Sequence, residues 1–244
     1  MSEPRLPVSR LIDQAEWGHP KPYKDYTRWA TFKPTTWVCH WTGSGSDVRT
    51  TVVAKLVARR VREFHVRVRG WSDIAYNAFA WFPLLRLRGS NNNGAHRDSN
   101  YWGGRTFAVY FPTGTMYPVP HRRMLKGFAW MWALAPAPVT GHGLLPPSPS
   151  GVRQDTQCPG PWLIEWIRRE GWLNLLAQGT QGARLSWQTQ VLKRRLAGLG
   201  FYSGKFGKRY SPALIIAVKA WQNSIGRPAT GHMNRSDWSE LGEM

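Results

Sequence analysis

Two apolar patterns follow one another along the chain, and the change between them near residue 180 limits the folds it can adopt. In the first part, short apolar and aromatic runs typical of strands alternate with stretches whose apolar residues recur at helical spacing. This alternation predicts an α/β fold with a mixed central sheet flanked by helices over residues 1–175, with a core at about 35–172. The predicted strands are 37–42, 74–82 and 106–111, and the predicted helices are 48–64, 122–134 and 162–169.

The second part has helical patterns only. Gly179 and Gly182 mark residues 176–184 as a linker. Beyond it, Ser211-Pro212 is a favourable helix start, because serine caps free N–H groups and proline suits the first helical position. Residues 185–244 are thus predicted to form a small all-α domain of three short helices, with little room for a catalytic cleft.

The charge of the chain calls for an anionic partner. Its 33 Lys and Arg residues against 14 Asp and Glu give a formal net charge of +19, which attracts nucleic acid, anionic membrane surfaces or acidic wall polymers. The sequence has no helix-turn-helix, zinc-finger or RNA-binding signature, so we expect no stable nucleic-acid partner. It has no run of 18 apolar residues, so we expect no membrane insertion.

Two further features bear on the compartment. Residues 1–10 lack the apolar stretch of a secretory signal peptide, and two cysteines cannot form a disulfide scaffold. We therefore expect a protein made in a cytoplasm, and a disulfide between Cys39 and Cys158 is disfavoured.

Three residues of the first part have the chemistry of zinc ligands. His40 lies near the end of a predicted strand, beside a Gly/Ser loop, His142 precedes a proline-rich loop, and Cys158 follows that loop. Free cysteine and neutral imidazole are preferred zinc ligands, and three protein ligands with one open position are typical of a catalytic site. Spacing alone does not decide between a shared metal site and structural histidines with a buried cysteine.

Four motifs between His40 and Gly160 carry a family resemblance. They read HWTGS at 40–44, RGWSDIAYN at 69–77, GAH at 94–96 followed by Asn100, and GH at 141–142 with TQCPG at 156–160. In this order they resemble the motifs of the zinc-dependent N-acetylmuramoyl-L-alanine amidases, of the peptidoglycan-recognition-protein-like, type 2 amidase family. The resemblance implies that family's fold, one Zn²⁺ per chain, and hydrolysis of the amide between N-acetylmuramic acid and L-alanine in bacterial peptidoglycan.

The resemblance also implies a role for each matching residue. His40, His142 and Cys158 match the three zinc ligands. Tyr76 and Thr156 match the catalytic positions, where hydroxyl groups can donate hydrogen bonds to the negative charge that develops in amide hydrolysis. The implied substrate-binding residues of this part are Trp71, His96 and Asn100.

The sequence departs from the family pattern in two places. Trp41 replaces the second histidine of the strand-end motif and is predicted to face away from His40. Gly143 and the leucines after it stand where the family has Arg-Asp, so a carboxylate that orients the metal-binding histidine is missing there. Asp155 is the candidate replacement.

The second part resembles the three-helix peptidoglycan-binding domain found on many cell-wall hydrolases. The match runs from about residue 185 to Leu241 and includes VLKRRL at 191–196 and LGFYSG at 199–204. Trp221 and Trp238 are expected in the core of the module. Tyr202 and Tyr210 lie near the turn and are the candidate contacts to wall sugar or peptide.

Together the two resemblances imply an enzyme similar to bacteriophage endolysins, which lyse the host and act as antimicrobials. We expect a monomer that stays in the host bacterial cytoplasm until a holin opens the membrane, and then binds peptidoglycan and anionic wall polymers. Two alternatives stay open: a bacterial wall-remodelling amidase, and a recognition protein that binds peptidoglycan without cutting it. The presence of Cys158 favours an enzyme, because family members without that ligand bind without cutting.

Overall fold

A computed structural model describes residues 11–20, 35–88, 96, 99–102, 105–180 and 186–244. Contacts between Cα atoms divide the chain into two compact units. The sheet unit contains the described residues from Leu11 to Phe128 together with Ala137–Arg169, and the helical unit contains Ala129–Pro136 and Glu170–Met244.

The sheet unit is built on a six-stranded mixed sheet with the strand order β1-β4-β3-β5-β2-β6. Within the described residues, the pairing of β3 with β4 is antiparallel and the other four pairings are parallel. The strands are β1 (Leu11–Ile12), β2 (Thr36–His40), β3 (Ala78–Phe79), β4 (Leu84–Arg86), β5 (Thr106–Tyr110) and β6 (Val139–Gly141).

Helices surround this sheet, as the sequence predicts, and the α/β fold class is confirmed. The ring of Trp37 on β2 packs edge-on against Phe107 and Phe128 at centroid distances of 4.8 and 6.3 Å. The helices that begin in the sheet unit are α1 (Gln14–Trp17), α2 (Thr51–Glu63), α3 (Ser99–Trp102), α4 (Arg122–Leu134) and α5 (Pro161–Arg168). A π-helical turn, Phe64–Val68, continues α2.

The predicted strand at 74–82 is wrong over most of its length, since only Ala78–Phe79 forms a strand. The preceding segment, 74–77, is buried and irregular, and its polar groups bond to several other segments: the N–H of Ala75 donates to His65, and the N–H of Asn77 donates to the carbonyl of Ala108. The carboxylate of Asp73 accepts hydrogen bonds from the backbone N–H of Ile74 (2.8 Å) and from Nε of Arg62 (3.0 Å). The apolar and aromatic residues that suggest a strand here fill the core from an irregular segment instead.

The helical unit gains its core from apolar stripes on four helices, α6 (Gly171–Gly179), α7 (Trp187–Gly198), α8 (Pro212–Ser224) and α9 (Arg235–Glu243). Ser211 caps α8 by accepting a hydrogen bond from the N–H of Leu214, with Pro212 at the first helical position. Trp221 and Trp238 are almost fully buried, as predicted. The three-helix C-terminal domain is confirmed.

Helix α6 occupies part of the predicted linker. Residues 176–179 are helical, and the side chains of Leu173 and Leu176 are buried, because these leucines lie on an apolar stripe of the helix that runs up to Gly179. Residues 181–185, the rest of that linker, lie outside the described residues. In the part of the chain that the structure covers, no helix combines the length and the apolarity that crossing a bilayer requires.

Candidate metal centre and binding groove

The two candidate histidine ligands sit at one edge of the sheet because of strand topology. His40 is the last residue of β2, and His142 follows the last residue of β6. Strands β2 and β6 are parallel neighbours, with Cys39 in register with Gly141, so their carboxyl ends meet at the same edge. The two imidazole rings lie 4.6 Å apart, centroid to centroid.

Cys158 approaches these histidines from the loop before α5. Its Sγ lies 3.8 Å from Nδ1 of His40 and accepts a hydrogen bond from the backbone N–H of Trp41 at 3.2 Å. One ligand atom from each of His40, His142 and Cys158 can be chosen so that all three lie within 4.8 Å of one another. His40 lies more than a hundred positions before the other two in the sequence, and the fold brings all three together.

Two glycines permit this approach. A Cβ at Gly143 would collide with the carbonyl oxygen of Thr156, and a Cβ at Gly160 would collide with the ring of Trp41. Gly160 also has a φ of 88°, a backbone conformation that L side chains rarely adopt. The indole of Trp41 therefore packs over the turn that carries the cysteine, a role that its position in the motif did not suggest.

Burial sets the protonation states of the ligands. Desolvation, with help from the neighbouring imidazoles of His142 and His96, holds the pKa of His40 well below its ordinary value. Desolvation also raises the pKa of Cys158 to about 12, although the N–H of Trp41 opposes this shift. Without a metal ion the centre thus holds a neutral imidazole at His40 and a thiol at Cys158, which must release its proton when a metal binds.

The outer partner of His142 is an amide rather than a carboxylate. Nε2 of His142 lies 2.9 Å from Oε1 of Gln154. Since an amide oxygen only accepts, Nε2 carries the proton and Nδ1 keeps the lone pair that can bind a metal. The residue that makes this contact is Gln154, which directly precedes the candidate Asp155.

His96 adds a third imidazole to the cluster. Its ring centroid lies 4.9 Å from that of His40 and 5.1 Å from that of His142. Its Nε2 lies 3.0 Å from Oγ1 of Thr106, which itself donates to the carbonyl of Trp102. Nε2 of His96 is therefore the donor, and its buried Nδ1 has no hydrogen-bond partner among the residues that the structure describes.

Tyr76 lies beside the candidate metal centre. Its ring centroid is 5.2 Å from that of His40, and its ring stacks on Tyr110 at 4.8 Å. Desolvation, with smaller contributions from Cys158 and Tyr110, raises the pKa of Tyr76 well above its ordinary value, so its hydroxyl stays protonated. The exposed Thr156 accepts a hydrogen bond from the N–H of Cys158 at 3.2 Å, which fixes its oxygen next to the cysteine.

A groove of about 500 Å³ begins at Tyr76 and is lined by aromatic and cationic side chains. Trp71 and Phe64, which are 39% and 46% exposed, supply its apolar surface. Arg60 and Arg69 supply its positive charge, so the helix that carries arginines in the sequence contributes to the groove as well as to the solvated surface. A ligand with apolar faces and carboxylates suits this lining.

His65 is a groove residue that the sequence did not reveal. Its Nδ1 accepts a hydrogen bond from the N–H of Ala75 at 3.2 Å, and its ring packs against Trp71 at 4.7 Å. Desolvation, assisted by Arg69 and Arg88, lowers the pKa of His65 to about 4. The neutral ring thus ties the π-helical turn to the segment that positions Tyr76. None of the family motifs includes His65, because the residue lies in an arginine-rich helical stretch outside them.

Comparison with known proteins identifies the family. Peptidoglycan recognition protein 1 of Bos indicus is 30% identical over 132 residues, which cover 52% of this chain and 67% of that protein. The chain belongs to the peptidoglycan recognition protein family. In addition, residues 188–241 match the family described as "Putative peptidoglycan binding domain".

Solved structures agree on the fold. Drosophila PGRP-LB has a TM-score of 0.51 at 20% identity, covering 64% of this chain and 91% of that one. Peptidoglycan recognition protein-LE, in a complex with tracheal cytotoxin, has a TM-score of 0.53 at 19% identity, covering 66% and 94%. These similarities show that the sheet unit has the fold of this family.

The remaining predicted site residues of this family member have different outcomes. Trp71 lines the groove, and His96 lies at the metal centre. Asn100 lies in α3, and its side chain is outside the described part of the structure. Tyr202 and Tyr210 are only 7% and 6% exposed, and their hydroxyls donate to the carbonyls of Lys205 and Gly231. Their prediction as wall contacts is not supported, because both rings belong to the interior of the helical unit.

Proposed function

We propose that this protein is a zinc-dependent N-acetylmuramoyl-L-alanine amidase, which hydrolyses the amide between N-acetylmuramic acid and L-alanine in bacterial peptidoglycan. One observation carries the proposal: ligand atoms of His40, His142 and Cys158 lie within 4.8 Å of one another beside Tyr76, at the end of an open groove. Recognition of peptidoglycan requires the groove alone, whereas its hydrolysis also requires the three metal-binding side chains to lie together.

The residues present fit zinc. Two imidazole nitrogens and one thiolate sulfur are a preferred donor set, and three protein ligands leave one coordination position open. His40 Nε2 is buried and has no hydrogen-bond partner within the described residues, which is costly unless a ligand satisfies the atom. A zinc ion held there would act as a Lewis acid toward the scissile carbonyl and toward the attacking water.

The side chains of the chain itself supply the other steps. The hydroxyl of Tyr76, kept protonated by its raised pKa, can donate a hydrogen bond to the oxygen on which negative charge develops. Thr156 accepts from the N–H of Cys158, so its own hydroxyl hydrogen is available to donate toward the substrate. Arg60 and Arg69 can pair with the carboxylates of the stem peptide in the groove.

A recognition protein that does not cut is the second candidate, favoured by the name of the bovine relative. The two candidates share the groove and differ at the metal centre. The complete set of two histidines and one cysteine supports the enzyme, because binding alone would not require these three side chains to converge.

Mass spectrometry of purified peptidoglycan after digestion tests the proposal. New free amino groups on L-alanine, together with about one zinc per chain by metal analysis, are the expected result. New reducing sugar ends would show a glycosidase instead. Binding of peptidoglycan with no new ends would establish the recognition protein, and full activity of the metal-free protein would overturn the zinc mechanism.

We also propose a lytic role of the bacteriophage endolysin type, in which the enzyme accumulates in the host cytoplasm and reaches the wall after a holin opens the membrane. The pairing of an amidase-like unit with a C-terminal domain matching a wall-binding family supports this role. Expression in a bacterial host with and without a separately expressed holin tests it. Lysis is expected only with both proteins; intact cells with both would argue for a wall-remodelling amidase.

A further inference from the structure

A cationic loop of the helical unit is held in place far more firmly than its exposure suggests. Residues 203–209, which we call the basic loop, join α7 to α8 and are all exposed. The loop contains Lys205, Phe206, Lys208 and Arg209. An exposed loop of this composition needs no fixed shape for solubility. The hydrogen bonds that fix its backbone therefore suggest another role for the loop.

Four consecutive backbone carbonyls of the basic loop accept hydrogen bonds from residues outside it. The donors are Tyr202 Oη to Lys205 (2.9 Å), Gln190 Nε2 to Phe206 (3.1 Å), Lys193 Nζ to Gly207 (3.0 Å) and the Ser186 N–H to Lys208 (3.0 Å). The fold thus binds the backbone of the loop and leaves its long side chains to solvent.

Lys193 shows how strongly the loop is fixed. This residue is only 3% exposed, and its ammonium group lies 5.6 Å from the centroid of the Tyr202 ring. Burying an ammonium group is costly unless it is hydrogen-bonded, and its contact with the carbonyl of Gly207 provides such a bond. The free-energy cost of burying Lys193 is spent on holding the loop in one shape. A loop held in one shape is suited to binding a ligand in one defined arrangement.

The outer surface of the basic loop combines an aromatic ring with several cations. Phe206 is 40% exposed, and the guanidinium of Arg194 lies over its ring at 5.1 Å. No aspartate or glutamate occurs in the sequence between Glu170 and Asp237, so this stretch supplies no carboxylate to neutralise the lysines and arginines. The surface therefore suits a ligand that has both an apolar face and negative charge.

We propose that the basic loop, together with Arg194, is the surface through which this chain binds peptidoglycan. A sugar ring of the glycan would pack on Phe206, and carboxylates of the stem peptides would pair with Lys205, Lys208 and Arg209. The inference rests on the proposed function for peptidoglycan as the ligand. It replaces Tyr202 and Tyr210, which the structure buries, as wall contacts; Tyr202 instead supports the loop by donating to the carbonyl of Lys205.

The choice of peptidoglycan over a phosphate polymer or nucleic acid rests on the fixed geometry. Flexible lysines on a mobile backbone would suffice for attraction to a uniform polyanion. A fixed backbone with one exposed ring among spaced cations instead suits a repeating polymer in which sugar faces and carboxylates alternate at set distances.

Co-sedimentation of the full-length protein with sacculi free of teichoic acid tests the proposal. We expect Phe206→Ala, and separately the double variant Lys208→Ala with Arg209→Ala, to bind about tenfold more weakly than wild type. Matched controls are Ile216→Ala and Lys219→Ala, which remove an exposed apolar and an exposed cationic side chain from α8. Controls that lose as much binding as the loop variants would overturn the assignment of the loop.

Gln190→Ala tests the fixed geometry separately, because it frees one loop carbonyl and leaves every exposed loop side chain in place. Weaker sacculus binding at an unchanged melting temperature is expected, and unchanged binding would overturn the role of the fixed shape. Failure of the wild type to bind sacculi would contradict the proposed function itself. If the loop variants lose binding to teichoic acid or DNA but not to sacculi, peptidoglycan is the wrong ligand.

Discussion

The metal centre and the basic loop are built in opposite ways. The metal centre joins residues as far apart in sequence as His40 and Cys158, buries them, and keeps them uncharged without a metal. The basic loop takes three of its four anchors, Ser186, Gln190 and Lys193, from the start of helix α7 and its cap, and exposes a row of charges. One region concentrates reactive groups away from water, and the other presents charge to a large ligand.

This difference predicts that peptidoglycan hydrolysis and wall binding can be changed independently in this chain. Buried donors at fixed distances serve a reaction, since desolvation strengthens their interactions with a developing charge. Exposed cations on a fixed backbone serve binding, and their attraction weakens with salt. Two assays separate these functions for each variant: hydrolysis of soluble muropeptide and binding to sacculi.

The largest effect is expected from Cys158→Ser. The serine hydroxyl is a poor zinc ligand, so we expect zinc to be lost and turnover to fall below detection while sacculus binding stays near wild type. Metal analysis and the two assays check this. Cys39→Ala is the matched control, because it removes the other buried thiol, one residue before His40, and leaves the three ligands in place. Zinc loss in the control as well would mean that packing, not ligation, explains the result.

A smaller but still large effect is expected from Tyr76→Phe. Loss of one hydrogen-bond donor to a developing oxyanion lowers kcat by about 10²–10³-fold, with zinc content and sacculus binding unchanged. Tyr110→Phe is the control, since its ring stacks on Tyr76 and its hydroxyl bonds to Thr42 at 3.3 Å, away from the ligands. Equal losses of kcat in both variants would assign the effect to ring packing.

Gln154 allows the metal centre to be adjusted without touching a ligand. Removing a group that orients a metal-binding histidine weakens metal affinity about 10–100-fold, and we expect this of Gln154→Ala. Gln154→Glu should tighten zinc binding, because a carboxylate makes His142 a more basic ligand. Competition with a chelator measures both, and the exposed Gln157→Ala is the control. An unchanged affinity in both Gln154 variants would exclude this role for the amide.

The smallest effect is a pH dependence of stability that arises at His65. In the unfolded chain this histidine binds a proton near pH 6.5, but in the folded protein only near pH 4. The free energy of unfolding should therefore fall as pH decreases through this interval, by at most about 3 kcal/mol, and be independent of this group above it.

Urea unfolding between pH 4 and 8 measures this dependence. His65→Asn keeps an acceptor for the N–H of Ala75 and cannot be protonated, so its stability should fall less than that of wild type in the same interval. Equal slopes for the two proteins would place the acid sensitivity elsewhere. Because His65 belongs to the sheet unit, the salt-dependent sacculus binding of the basic loop should not follow the same curve.

The sequence predicted strands β2 and β5 because their apolar runs are short and bounded by clear breaks, but it did not predict β6, which leads into His142. Strands 36–40 and 106–110 and helix α4 match the predicted positions closely. The prediction at 74–77 failed because its aromatic and apolar residues are buried in an irregular segment, in which the N–H of Ala75 bonds to His65 and that of Asn77 bonds to β5. Composition alone does not distinguish these two ways of burying the same residues.

The candidate ligands and Tyr76 followed from motif resemblance, whereas their supporting residues did not. Gln154, His65 and Trp41 act through contacts that depend on tertiary placement, so no local spacing marks them. In the helical unit, resemblance favoured Tyr202 and Tyr210 as contacts. The structure shows that Tyr202 instead supports the basic loop through its hydroxyl, and that Phe206 is the exposed aromatic residue beside it.

The anchoring of the basic loop through its carbonyls has a consequence for protein engineering. The anchors contact only backbone oxygens, so the identities of the side chains at 205, 206, 208 and 209 are not specified by the bonds that shape the loop. These four positions form a display site that can be randomised without rebuilding the module. A library at these positions could redirect the chain to walls of different chemistry while the sheet unit is left untouched.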